Sequence, residues 1–278
     1  TLTEDRILYS SPKSILFWDF EPPCEQYSTL QNLEEGVSKY FPDGKRFLTA
    51  GGNMVKVCKT SGLFEDFVIP MPFGDVSDLE ITRDGKRAVI GSQRGFLSVW
   101  DLNRRCLEFS IKAHKEMIFV LKLTADGKRV ISHSEDNKLK VWNLETRAEE
   151  FCFSGLGTDT RAIAVTKDGN KVIVGSFDST LSIFDLSQKK RINILRGHTN
   201  SILSIGITPD DGRLVSASGD QSIKVWDLKR CSQEFTLTGH KHIIWTLAIF
   251  PDGNRVASAS FDSVVKIWNL KHRFEEIS

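Results

Sequence analysis

Residues 197–228, GHTNSILSIGITPDDGRLVSASGDQSIKVWDL, set a pattern that the rest of the chain repeats. Apolar residues alternate with small or polar ones in three short runs, Ile202–Thr208, Arg213–Ser218 and Ser222–Leu228. Alternation of period two, rich in β-branched residues, marks half-buried strands. Turn formers separate the runs: Pro209-Asp210-Asp211-Gly212 between the first pair, Gly219-Asp220-Gln221 between the second. The stretch predicts two hairpins in series, an up-and-down antiparallel unit too small to bury both of its faces alone.

The unit recurs. Aspartate-glycine turns begin at Asp43, Asp84, Asp126, Asp168, Asp211 and Asp252. Sixteen residues after four of these aspartates stands an aromatic, Trp100, Trp142, Phe184 and Trp268, while Trp226 follows Asp211 by fifteen. A period of about 42 residues signals stacked supersecondary units rather than separate domains. A small residue and a histidine open some of the units, as Ala113-His114, Gly197-His198 and Gly239-His240.

These Gly-His, Asp-Gly and Trp-Asp landmarks resemble WD repeats, the four-stranded blades of β-propellers. The resemblance covers essentially the whole chain. It implies an all-β fold, a seven-bladed propeller of four-stranded antiparallel blades in one domain over residues 1–278, with the first blade incomplete at the N-terminus. The blades are expected at about 1–30, 34–70, 75–112, 114–153, 159–195, 198–237 and 240–278. Aligned on the repeat, Thr1 falls near the end of an inner strand, so the sequence is expected to be a piece of a longer polypeptide. Blade two carries Cys58 where the family has Trp, blade three has no Gly-His, and blade five lacks the His and uses Phe184-Asp185.

Charge adds little. Thirty-seven basic residues against 36 acidic ones leave a formal charge of +1, with no global pull toward nucleic acid or anionic membrane. Five scattered cysteines with no CxxC pair point away from a zinc site or disulfide framework and toward a reducing, intracellular compartment, cytoplasmic or nuclear. No apolar run reaches membrane-spanning length. No GxSxG, Walker, GxGxxG or HExxH pattern occurs, so neither an enzyme nor a cofactor or metal site is expected.

His198, Ser218 and Asp220 have the residue types of a catalytic triad, but the same trio recurs as His114, Ser134, Asp136 and as His240, Ser260, Asp262. Three copies in one domain make poor chemical sense. The resemblance implies buried hydrogen-bond chains instead, in which Trp226 donates to Ser218, Ser218 bonds His198, and the other nitrogen of His198 meets Asp220. Trp142 and Trp268 would complete the other two chains. Blades two, three and five lack parts of it and are expected to be softer.

Propellers of this family commonly bind peptides on the top face, where the Gly-His loop and the turn before the Trp strand open. Five of the six tryptophans hold the blade position, whereas Trp245 falls on an inner strand at a top-face position. With it the resemblance places Ile243 and Phe261 in blade seven, Phe177, Arg161 and Asp159 in blade five, and Met117, Phe119 and Glu135 in blade four. Exposed aromatics beside an arginine have the composition of a protein-binding hot spot. The Asp-Gly turns carry cations on the other face, among them Lys45-Arg46, Lys86-Arg87, Lys128-Arg129, Arg213 and Arg255. The expected function is a non-catalytic scaffold for a protein or peptide; the alternative is a phosphate-binding module, for nucleic acid or phosphoinositide, using that basic face.

Overall fold

The computed structural model describes residues 6–11, 14–19, 29–31, 37–60, 65–154, 156, 160 and 162–277. Every regular element among them is a β-strand. The strands form one sheet of three and six sheets of four, each in chain order. The sixth sheet is typical: Ile202–Ile207, Arg213–Ser218, Ser222–Asp227 and Ser232–Thr238, paired antiparallel. The first holds Arg6–Ser11, Ser14–Asp19 and Thr29–Gln31. The stub expected before it and most of the run expected over 24–30 lie outside the described residues.

The chain divides into two compact units, Thr1–Ala148 and Glu149–Ser278. Within the second, the fifth, sixth and seventh sheets share continuous cores. Ile173, Leu181 and Ile183 of the fifth pack with Ile202, Leu214 and Trp226 of the sixth. Val215, Ile223 and Val225 of the sixth pack in turn with Ile244, Val256 and Trp268 of the seventh. Stacking thus buries the second face that one sheet alone leaves wet, at about 1.5–3 kcal/mol per large side chain. The approach is close enough to dictate sequence: a Cβ on Gly175 would lie 2.6 Å from Cγ2 of Ile202. The first unit repeats the arrangement, with Leu48 and Val57 of the second sheet against Leu79 and Ile90 of the third.

In the third to sixth sheets the Asp-Gly turn is a small hydrogen-bonded knot. Thr82 Oγ1 donates to Asp84 Oδ1 at 2.6 Å, and the same carboxylate oxygen accepts the N–H of Lys86 at 3.0 Å. Gly85 takes a positive φ of 69°, the left-handed conformation that glycine adopts without strain. The knot recurs at Thr124-Asp126 and Thr166-Asp168. In the sixth sheet it corrects the sequence reading. The turn aspartate is Asp210, which accepts from Thr208 Oγ1 at 2.6 Å, while Asp211 stands in the glycine position with φ 56°. An aspartate tolerates that conformation better than most residues. Trp226 then follows its turn aspartate by the same sixteen residues as the other blade aromatics.

The first strands of four sheets carry a register shift near their start. It leaves one extra residue unpaired: Ser77, Phe119, Leu203 or Trp245. Such bulges re-aim side chains.

Candidate functional site

Three sheets contain a complete chain of buried polar groups. In the sixth, Trp226 Nε1 donates to Ser216 Oγ at 2.8 Å, His198 Nε2 lies 2.8 Å from the same oxygen, and His198 Nδ1 lies 2.7 Å from Asp220 Oδ2. In the seventh, Trp268, Ser258, His240 and Asp262 repeat it at 2.8, 2.8 and 2.9 Å. In the fourth, Trp142, Ser132, His114 and Asp136 do so at 3.1, 2.7 and 3.1 Å.

The serine is not the expected one. Ser134, Ser218 and Ser260 stand two residues further on, each accepting the backbone N–H of the turn aspartate at 3.1–3.2 Å and donating to a carbonyl, Glu116, Asn200 and His242 respectively. They latch the turn. Register is the cause: Trp226 pairs with Leu214, which puts its indole N–H within reach of Ser216 rather than Ser218 at the strand end. In the third sheet Ile90 holds the serine's place, and the buried Nε1 of Trp100 has no hydrogen-bond partner among the described residues. In the second, the buried Cys58 replaces the tryptophan, and burial, with Glu65 adding to it, pushes its thiol up to about 11.

The aspartates are held ionised. Burial works against the Asp220 carboxylate, but hydrogen bonds from His198, Ser222 and the N–H of Thr199 outweigh it and hold its pKa well below the ordinary range. Asp262 is also lowered, burial being overcome by the N–H of Lys241, His240 and the N–H of Val264. Every polar atom of the chain is thus spent on its neighbour, as a buried network requires.

The upper edge of each sheet, where the His segment and the Asp turn meet, carries the expected partner residues. In the seventh sheet they come together. Trp245, the bulge residue, is 50% exposed and Phe261 59%, with ring centroids 5.5 Å apart and planes at 60°. Ile243 is half-buried, its carbonyl accepting the N–H of Phe261 at 3.0 Å. His242, which is not among the expected partner residues, joins them. Its ring stands edge-on to Phe261 at 5.8 Å, and its Nδ1 accepts the N–H of Ile243 at 2.9 Å. Only its adjacency to Ile243 could have drawn attention to it.

Phe177 is also exposed, at the equivalent turn of the fifth sheet. Asp159 and Arg161 lie outside the described residues. Of the first unit's candidates, Glu135 is exposed, Met117 is half-buried, and Phe119 stacks on the buried His133 with centroids 6.4 Å apart.

The lower edges present mixed charge. A cleft of about 610 Å³ between the third and fourth sheets is lined by Asp84, Lys86, Arg87, Glu108, Asp126 and Lys128, among others. Arg87 is paired with Glu108 at 2.7 Å. In the second unit a cleft of about 480 Å³ holds Arg213, paired with Glu234 at 3.1 Å, and Asp252, which binds Arg255 at 2.7 Å. Among the described residues no group of three or more His, Cys, Asp or Glu side chains is placed to hold a metal ion, and no helix is long and apolar enough to cross a membrane.

A separate charged row runs along the first strands of the first unit, and sequence reading missed it. Lys39 Nζ lies 3.2 Å from Glu80 Oε1, and Lys122 Nζ donates to the same oxygen. Burial opposes ionisation of Glu80, but the ammoniums of Lys122 and Lys39 override it and lower its pKa. Asp78, on the same strand as Glu80, accepts the N–H of Leu79 at 2.8 Å and of Leu121, in the next sheet, at 2.7 Å. Burial raises its pKa. The signal was present as a column: Lys39, Glu80 and Lys122 each precede their turn aspartate by four residues.

No curated protein matches the chain. A family does: the WD domain, G-beta repeat, matches residues 105–143, 189–227 and 231–269. Those three stretches are the ones that carry the complete Trp-Ser-His-Asp chains described above. The chain carries WD repeats, which supports a WD-repeat family for it.

Proposed function

We propose that this chain is a non-catalytic interaction scaffold whose repeats form the blades of a seven-bladed propeller, and that it captures a peptide or protein at the upper edge of the seventh sheet. WD repeats generally mediate protein–protein interaction. One observation carries the choice of surface: the Trp245–Phe261 pair is exposed although both rings are large and apolar, and a bulge turns the tryptophan outward. Exposed aromatic pairs of this kind are typical binding anchors. The His, Ser and Asp groups that could serve chemistry are occupied with one another, which supports a role without catalysis. An intracellular setting is supported by the free thiols of Cys58, Cys106 and Cys231.

The phosphate-binding alternative is disfavoured by the lower-edge ion pairs. Arg87, Arg213 and Arg255 already hold carboxylates, and a phosphate would have to displace them.

The test is capture from lysate with the wild-type chain and the Trp245→Ala/Phe261→Ala pair, at low and high salt. Partners that persist in salt and disappear with the double variant are expected. Partners that wash off in salt and ignore the substitutions would move the function to the lower edge. Trp245→Ala alone should shift the unfolding free energy by no more than about 0.5 kcal/mol, as befits a half-exposed side chain; a larger loss would make the ring a core residue.

A further inference from the structure

We infer that the partner taken up by the Trp245–Phe261 surface is an acidic peptide, with an apolar side chain flanked by carboxylates. The inference rests on the proposed upper-edge site and follows from which polar groups surround it.

At the upper edge of the seventh sheet the hydrogen-bonding inventory is one-sided. His242 Nδ1 is already an acceptor for the N–H of Ile243, so in the neutral ring the proton sits on Nε2, which is a donor. Trp245 offers its indole N–H, which has no hydrogen bond among the described residues, and an indole can only donate. Lys241 is exposed, and its ammonium forms no ion pair with any described residue.

The carboxylate and the two carbonyls nearest the rings are already engaged. Asp262 is the one carboxylate among residues 239–243 and 260–264, and its side chain is only 10% exposed. It faces inward to His240 Nδ1 at 2.9 Å and to the N–H groups of Lys241 at 2.8 Å and Val264 at 3.0 Å. The carbonyl of His242 accepts the Ser260 hydroxyl at 3.0 Å, and that of Ile243 accepts the N–H of Phe261.

Two aromatic rings therefore stand beside an ammonium and two N–H donors, with no open carboxylate to answer a cationic ligand. A basic peptide would bring like charge to Lys241 and find no open carboxylate to pair with. An acidic one meets complementary charge and finds donors for its carboxylates. The apolar anchor would lie against the rings and supply most of the affinity.

A selection from a random phage-displayed peptide library, carried out on the whole chain, tests this. Wild type is expected to enrich peptides with an aromatic or aliphatic residue and net negative charge. Trp245→Ala should weaken selected peptides by about 30-fold or more, and Lys241→Glu by about fivefold while lowering the acidic content of a fresh selection. Neutral or basic peptides that depend on Trp245 would overturn the acidic-partner inference and leave the proposed site standing. Peptides indifferent to Trp245, or no enrichment over a blank surface, would overturn both. A phosphopeptide binding in preference to its carboxylate counterpart would replace carboxylate by phosphate as the recognised group and so overturn the inference as stated.

Discussion

The first strands of the two units occupy the same repeat position with opposite chemistry. In the first unit the residues four before the turn aspartate are Lys39, Glu80 and Lys122; in the second they are Ala164, Gly206 and Ala248. The registers are equivalent: Glu80 pairs with Val89 and Gly206 with Val215, each the third residue of the following strand. Two positions earlier, Asp78 accepts the N–H of Leu121, and its counterpart Ser204 accepts the N–H of Leu247 at 3.1 Å. One sheet is stapled to the next by a carboxylate in one unit and by a hydroxyl in the other. The fold thus asks only for a hydrogen-bond acceptor at that point. What surrounds it is free to be ionic or small, and the choice decides how each unit answers to charge and acid.

The largest break in this comparison should come from Glu80→Gln. It leaves two ammoniums facing one another across a largely buried site, at a cost of about 3 kcal/mol. A urea unfolding midpoint that did not move would mean that the row is solvated and contributes nothing. Next comes the Trp-linked serine. Ser216→Ala removes the shared partner of two buried groups and should cost about 2 kcal/mol, against about 1 kcal/mol for Ser218→Ala, which loses only a turn latch. Equal losses would undo the assignment of Ser216 to the chain. Ser204→Ala should cost about 1 kcal/mol by orphaning one amide. The decisive reading is faster hydrogen exchange at Leu247, and an unchanged rate there would show that the staple is not held in solution.

Acid sharpens the contrast in direction. Asp220 and Asp262 have folded pKa values below the ordinary carboxylate range, so their stabilising contribution is whole above about pH 4 and is lost as pH falls further toward the folded values. In the first unit Glu80 behaves in the same way, but Asp78, raised by burial, is relieved by protonation and opposes it. Asp220→Asn should therefore flatten the acid limb of a stability-versus-pH curve. A limb of unchanged steepness would mean that the Asp220 carboxylate is not held by His198.

Much of the fold was legible in the alternation. The runs read as Ile202–Thr208, Arg213–Ser218 and Ser222–Leu228 became strands Ile202–Ile207, Arg213–Ser218 and Ser222–Asp227, because turn chemistry brackets each one. The serine of the buried chain was not legible. Ser216 and Ser218 share a strand face, and only the pairing of Trp226 with Leu214 separates them. Neighbouring Asp210 and Asp211 posed the same difficulty: both are turn formers, and the backbone alone shows which one binds Thr208 and which takes the glycine conformation. The ionic row needed three sheets side by side, and the role of His242 needed a ring contact that alternation does not encode.

The placement of the indoles makes the chain its own optical probe. Trp142, Trp226 and Trp268 are buried with their N–H groups bonded, and Trp100 is buried as well, while Trp245 stands half in water on the surface proposed to bind. Among these five, collisional quenchers such as iodide should reach Trp245 first. Its red-edge emission, isolated by difference against Trp245→Phe, would then shift to the blue as a ligand covers it, so that occupancy could be followed without attaching a dye.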